Sequence, residues 1–99
     1  MLQGLPPMHP GALLRDQILP ALGISKTKLA ETLKISRQTL HDILSEKAPV
    51  TAQMAVRLGK LCGNGPTIWV NLQSQWDVAQ AERDLADIIE QIPTLQKAG

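Results

Sequence analysis

The stretch from Ser25 to Lys47, SKTKLAETLKISRQTLHDILSEK, constrains the fold most, because its apolar residues form two short helical patterns separated by a tight turn. In the first, Leu29 and Leu33 recur at i, i+4 with the small Ala30 between them, and Ser25 stands where an N-cap oxygen satisfies free amide hydrogens. In the second, Leu40, Ile43 and Leu44 fall at i, i+3, i+4 behind a further N-cap candidate, Ser36. The opposite face of that second helix carries Arg37, Gln38, His41, Asp42 and Ser45.

That outer face points to a chemistry. Arginine grips the guanine edge and glutamine the adenine edge bidentately from the first turn of a helix in the major groove, and Arg37 and Gln38 occupy such a turn. Lys26, Thr27 and Lys28 open the preceding helix, where amide hydrogens, helix dipole and side chains together suit a backbone phosphate. Lys47 follows the second helix and is placed for another phosphate. His41 is a further candidate contact, while Asp42 is open between accepting from cytosine, orienting Arg37 and repelling phosphate. The pattern is that of a helix-turn-helix for double-stranded DNA.

The rest of the chain frames this pair. Residues 1–8, MLQGLPPM, read as a flexible N-terminal arm. Pro10 suits the first position of a helix whose stripe is Leu13, Leu14 and Ile18, ending around Pro20 before Gly23. Thr51 caps a fourth helix carrying Ala52, Ala55, Val56, Leu58 and Leu61, which runs to Cys62 and stops at Gly63-Asn64-Gly65. Pro66 opens a fifth. Its Trp69, Leu72, Trp76 and Ala79 follow spacings of three, four and three, a heptad-like seam expected to form a homodimer interface. Ala81, Leu85, Ile88 and Ile92 continue the rhythm on a shifted face, so the fifth helix either runs on or breaks near Asp77. The expected fold is all-α: a five-helix domain over residues 9–78 with a C-terminal helical extension and tail over 79–99.

Composition narrows the function. At 99 residues and 43% hydrophobic the chain makes one domain with a modest core. Phe and Tyr are absent, which weighs against single-stranded RNA binding, where bases stack on several aromatic platforms. Net charge is only +1, but residues 25–57 hold six basic and three acidic side chains while 77–90 hold one basic and five acidic. A single cysteine, Cys62, with no signal peptide or membrane-length apolar run, fits a reducing cytoplasm. His9, on the arm side, His41 and Cys62 lack ligand or nucleophile spacing, so no metal, cofactor or catalytic site is expected and the chain does not read as an enzyme.

Residues 8–78 also resemble a known family. His9-Pro10-Gly11 with Leu14-Arg15, the helix-turn-helix, and Trp69-Val70-Asn71-Leu72-Gln73 followed by Trp76-Asp77 are similar to the HigA/VapI group of bacterial antitoxins, within the Xre/lambda-repressor-like class. The resemblance implies an all-helical dimer that binds an operator upstream of its own operon and pairs with a RelE-like, HigB-type ribonuclease toxin in the bacterial cytoplasm. Ser36, Arg37, Gln38 and Thr39 match the start of the family's recognition helix, and Lys26-Thr27 its phosphate-contacting helix start. Three places depart from the family pattern. Lys34 stands where the turn usually has glycine, at a cost on the order of 1 kcal/mol if its φ is positive. Glu46 replaces a glycine closing the recognition helix, and Ala48-Pro49 replace a pair that is often basic. A stand-alone repressor without a toxin, or a helical adaptor that has lost DNA binding, are the alternatives.

Overall fold

A proline at its start and another near its end shape the first helix, α1, over residues 10–22. In the computed structural model, which describes residues 7–96, Pro10 sits at the first helical position and His9 is the N-cap, its Nδ1 accepting from the Gly11 amide at 2.9 Å. The helix begins as Pro10–Leu13 in α geometry, widens into a π turn over Leu14–Ile18, and resumes as Leu19–Leu22. Pro20 has no amide hydrogen and its ring would meet the carbonyl four residues back. The widened turn, in which the Leu19 amide donates to Leu14 O, immediately precedes it and lets the helix continue two residues beyond the expected stop. Gly23, at φ 66, then ends it.

The central pair forms as its caps require. Helix α2, Lys26–Leu33, is capped by Ser25 Oγ accepting from the Lys28 amide at 3.0 Å, and α3, Arg37–Leu44, by Ser36 Oγ accepting from the Thr39 amide at 3.0 Å. Between them Lys34 takes the left-handed conformation, φ 61, with the Ile35 amide donating to Ala30 O and the Lys34 amide to Glu31 O. These two bonds close a Schellman motif with lysine in the place glycine usually takes. Thr51 caps α4, Ala52–Cys62, which ends at the left-handed Gly63. Helix α5, Thr67–Asp84, runs unbroken past Asp77; a turn at Leu85 leads into a short α6, Ala86–Ile89, beyond the five helices expected.

Leu29, Ala30 and Leu33 of α2 and Leu40, Ile43 and Leu44 of α3 meet Leu14, Val50, Met54, Ala55, Leu58 and Trp69 in one core. Helix α1 approaches α3 so closely that a Cβ at Gly11 would run into the carbonyl oxygen of Ile43. Cys62 is half-buried and packs against this core, on the face shared with Ala55 and Leu58. Trp69 is fully buried, its Nε1 donating to Asn64 Oδ1 at 3.2 Å. Its expected place in a dimer seam is therefore corrected: a side chain with no accessible surface has none to offer a second copy. Every residue from 81 to 96 is exposed, so the end of α5 and all of α6 project from the core and stretch the molecule to 54 Å.

Candidate nucleic-acid interface

The same periodicity that buries Leu40, Ile43 and Leu44 turns Arg37, Gln38, Thr39 and His41 outward, and all four are exposed. The turn brings the start of α2 against this face. Lys26 and Thr27 from α2 and Arg37, Leu40 and His41 from α3 line one cleft of about 220 Å³, with Leu40 as its floor. Lys28 and Lys47 are exposed but lie outside that cleft. Ser36 does two structural jobs, accepting from the Thr39 amide and donating its own hydroxyl to Thr39 Oγ1 at 2.8 Å, so its donor and acceptor are both engaged at the helix start. Gln38 Nε2 donates to Asp42 Oδ1 at 2.9 Å, a partner outside the three roles left open for Asp42.

Charge on this face is left free. Among the described residues the salt bridges are those of Arg15, to Asp16 and to Glu46, so Lys26, Lys28, Arg37 and Lys47 are not neutralised by an acid of the chain.

Two arginines outside the expected set hold the reading pair in place. Arg15 on α1 donates through Nη1 to Leu44 O at 2.9 Å and to Glu46 Oε2 at 3.0 Å, and grips both oxygens of Asp16 at 2.8 and 3.0 Å. These contacts raise the Arg15 pKa and hold the Asp16 carboxyl below its usual range. Arg57 on α4 donates to Leu33 O at 2.8 Å. Each arginine thus satisfies a last-turn carbonyl of α2 or α3 just where a non-glycine residue, Lys34 or Glu46, takes positive φ. The departures at Lys34 and Glu46 are the sequence signal for such outside support; nothing in the spacing of Arg15 or Arg57 shows it.

The loop after α3 is fastened from its far end as well. Gln73, buried on α5, accepts from the Val50 amide at 2.7 Å and donates to Asp77 Oδ1 at 2.9 Å. Next to it Trp76 is half-buried with its ring edge-on to His9, centroids 5.3 Å apart. His9 itself is buried, so its assignment to the arm is corrected: it is the hinge pin of α1 and not a free ligand. Burial lowers its pKa, against smaller opposing effects of Glu46 and Asp77. Burial likewise pushes the Cys62 thiol up, away from the thiolate that nucleophilic chemistry needs. Among the described residues no three of His, Cys, Asp and Glu cluster as metal ligands would.

Leu72 and Ala79 are half-buried on α5 and, with Leu13, Ile68 and Val78, line an apolar groove of about 700 Å³ that Pro7 and Met8 also reach. Residues 1–6 of the expected arm lie outside the described residues. No helix among the described residues is long and apolar enough to cross a membrane.

An outward basic first turn, braced by a second helix across a tight turn and packed on three supporting helices, defines a helix-turn-helix protein. The family model described as Helix-turn-helix matches residues 14–69. Virulence-associated protein I of Dichelobacter nodosus is 35% identical, covering 90% of this chain and 82% of that protein. A Pseudomonas aeruginosa protein solved in complex with its operator DNA superposes with a TM-score of 0.87 at 39% identity, over 95% of this chain and 100% of that one. The Pseudomonas aeruginosa antitoxin HigA, solved with the higBA promoter, gives 0.86 at 40% identity, over 91% and 99%. The chain belongs to the helix-turn-helix family, in its branch of HigA/VapI-type antitoxins. Family and fold are those of DNA-binding regulators, which are not enzymes.

Proposed function

We propose that this chain is the antitoxin of a type II toxin–antitoxin pair, binding a RelE-like, HigB-type ribonuclease toxin and, as a homodimer, repressing its own operon through operator DNA in the bacterial cytoplasm. The observation that carries the DNA half is the cleft in which Lys26 and Thr27 of one helix stand beside Arg37 and His41 of the next, with no acid among the described residues engaging the cations. In this reading α3 enters the major groove, with Arg37 and Gln38 on base edges and Ser36, Thr39 and His41 at the groove margin. Lys26, Thr27, Lys28 and Lys47 hold phosphates. Solved relatives that hold operator or promoter DNA support the assignment, and the antitoxin names among them support the toxin half.

Two apolar surfaces support the dimer: the groove over Leu13, Ile68, Leu72 and Val78, bordered by Ala79, and the exposed Leu85, Ile88, Ile89, Ile92 and Leu95 beyond it. Leu72, Trp76 and Ala79 remain the interface residues of this reading. Two copies place their α3 helices in successive major grooves when these lie on the order of 34 Å apart. A nuclease footprint over the DNA upstream of the chain's own gene tests the proposal. Two protected half-sites about one helical turn apart, lost in the Arg37→Ala, Gln38→Ala variant, are expected; an unprotected region, or protection indifferent to that variant, overturns it in favour of an adaptor without DNA binding.

A further inference from the structure

Gln38 and Asp42 stand one helical turn apart on the outward face of α3, joined by the 2.9 Å bond from Gln38 Nε2 to Asp42 Oδ1. An ionised carboxylate only accepts hydrogen bonds, so the contact fixes which end of the glutamine amide faces it. The nitrogen is turned toward Asp42, and the amide presents to any further partner its oxygen and one remaining N–H.

Asp42 is itself held. It is half-buried, and its backbone carbonyl accepts from the amides of Lys47 and Ala48 at 2.9 and 3.0 Å, which folds the following loop back onto it. Gln38 is exposed and Arg37 is in no salt bridge with Asp42.

One acceptor beside one donor matches the major-groove edge of adenine, whose N6 amine donates and whose N7 accepts. Guanine presents O6 and N7, two acceptors, and sets its O6 against the fixed amide oxygen. A glutamine free to turn spreads its nitrogen across both guanine acceptors; one whose second hydrogen is committed to a carboxylate does not. The carboxylate charge also opposes the phosphates of every sequence alike, which lowers affinity without choosing a base.

We propose that Asp42 is a specificity-determining positioning residue: it locks the Gln38 amide so that the pair selects adenine over guanine at the contacted base pair. The inference rests on α3 being the major-groove helix, and the test separates the two.

The full-length protein and its Asp42→Asn, Asp42→Glu, Gln38→Ala and doubly substituted Asp42→Asn, Gln38→Ala variants are each equilibrated with a duplex pool randomised over about two helical turns, ~20 base pairs, and the bound fraction is sequenced. Gln38→Ala is expected to flatten an adenine preference at one position in each half-site. Asp42→Asn, whose amide both donates and accepts and so no longer fixes the glutamine, should cut the adenine-to-guanine ratio there by roughly tenfold, within the discrimination one bidentate pair gives. Asp42→Glu, which restores an acceptor-only partner, should recover much of that ratio, and the double variant should match Gln38→Ala at that position. If Asp42→Asn changes affinity for all sequences equally and leaves the ratio intact, Asp42 sets charge alone and the proposal is overturned while the groove assignment stands. If Gln38→Ala leaves every base preference unchanged in a protein that still selects sequence, Gln38 reads no base and both roles fall. A parent protein that selects no sequence overturns the groove assignment itself.

Discussion

Lys34 and Glu46 adopt a backbone conformation that glycine takes at little steric cost, yet their surroundings differ. Glu46 gains a 3.0 Å ion pair with Arg15, whereas among the described residues the Lys34 side chain has no partner and its carbonyl has only a long, 3.5 Å contact from Arg57 Nη1. Lys34→Gly should therefore stabilise the fold by up to about 1 kcal/mol, the left-handed penalty less the extra chain entropy of glycine. Glu46→Gly should stabilise by less than Lys34→Gly, because relief of the same strain is set against loss of the exposed pair with Arg15. Chemical denaturation of both variants checks the contrast, and equal shifts would refute the offset. On the reading face, Arg37→Ala should lose about 1–3 kcal/mol on the cognate site and relax base preference, while Lys26→Ala weakens cognate and random DNA alike and flattens the salt slope by about one. Titrations on both DNAs decide it; equal losses for Arg37→Ala would end its base-reading role.

The helices themselves were legible because the chain states their starts in side-chain chemistry. Ser25, Ser36 and Thr51 each accept a backbone amide where the sequence expects a cap, and Pro10 opens α1 as its fixed φ suggests. Depth was less legible. The three-four-three spacing of Trp69, Leu72, Trp76 and Ala79 marks one face of a helix but not what covers it, and only packing reveals that Trp69 faces the core while Leu72 and Ala79 border a groove. His9 was opaque for a similar reason, since a histidine before Pro10 beside a Pro-rich arm carries no sign of the Trp76 ring that encloses it. Its burial has a consequence at the level of α1. The folded state holds His9 with a pKa below the ordinary 6.5, so the unfolded chain binds the proton first as pH falls. Stability from this group is complete above about pH 6.5 and is lost as pH drops toward the lowered value. A protonated Nδ1 also no longer accepts from Gly11. Unfolding midpoints across this range should fall in the parent and fall less steeply in His9→Asn, which keeps a capping acceptor that does not titrate; parallel slopes would contradict the assignment.

At the scale of the molecule, a helix-turn-helix unit braced by α1, α4 and, through the buried Trp69, α5 carries a projecting end rich in apolar and acidic side chains. Exposed Val78, Leu85, Ile88 and Ile89 on that projection, next to the groove, are where a second copy buries surface in the proposed dimer. Val78→Asp should therefore shift sedimentation from dimer to monomer with little change in the unfolding midpoint, and weaken operator binding with it. An unchanged sedimentation profile would place the interface elsewhere. The toxin has no comparable signature in the chain, so co-expression with the product of a short neighbouring reading frame separates antitoxin from stand-alone repressor. The central claim, that α3 reads DNA, is tested most directly by titrating the purified chain against its own upstream DNA and against the same duplex scrambled, at two salt concentrations. Tight binding to the first, with a preference that survives added salt while both affinities fall, is the predicted result; equal and weak binding to the two duplexes at both salt concentrations would contradict it.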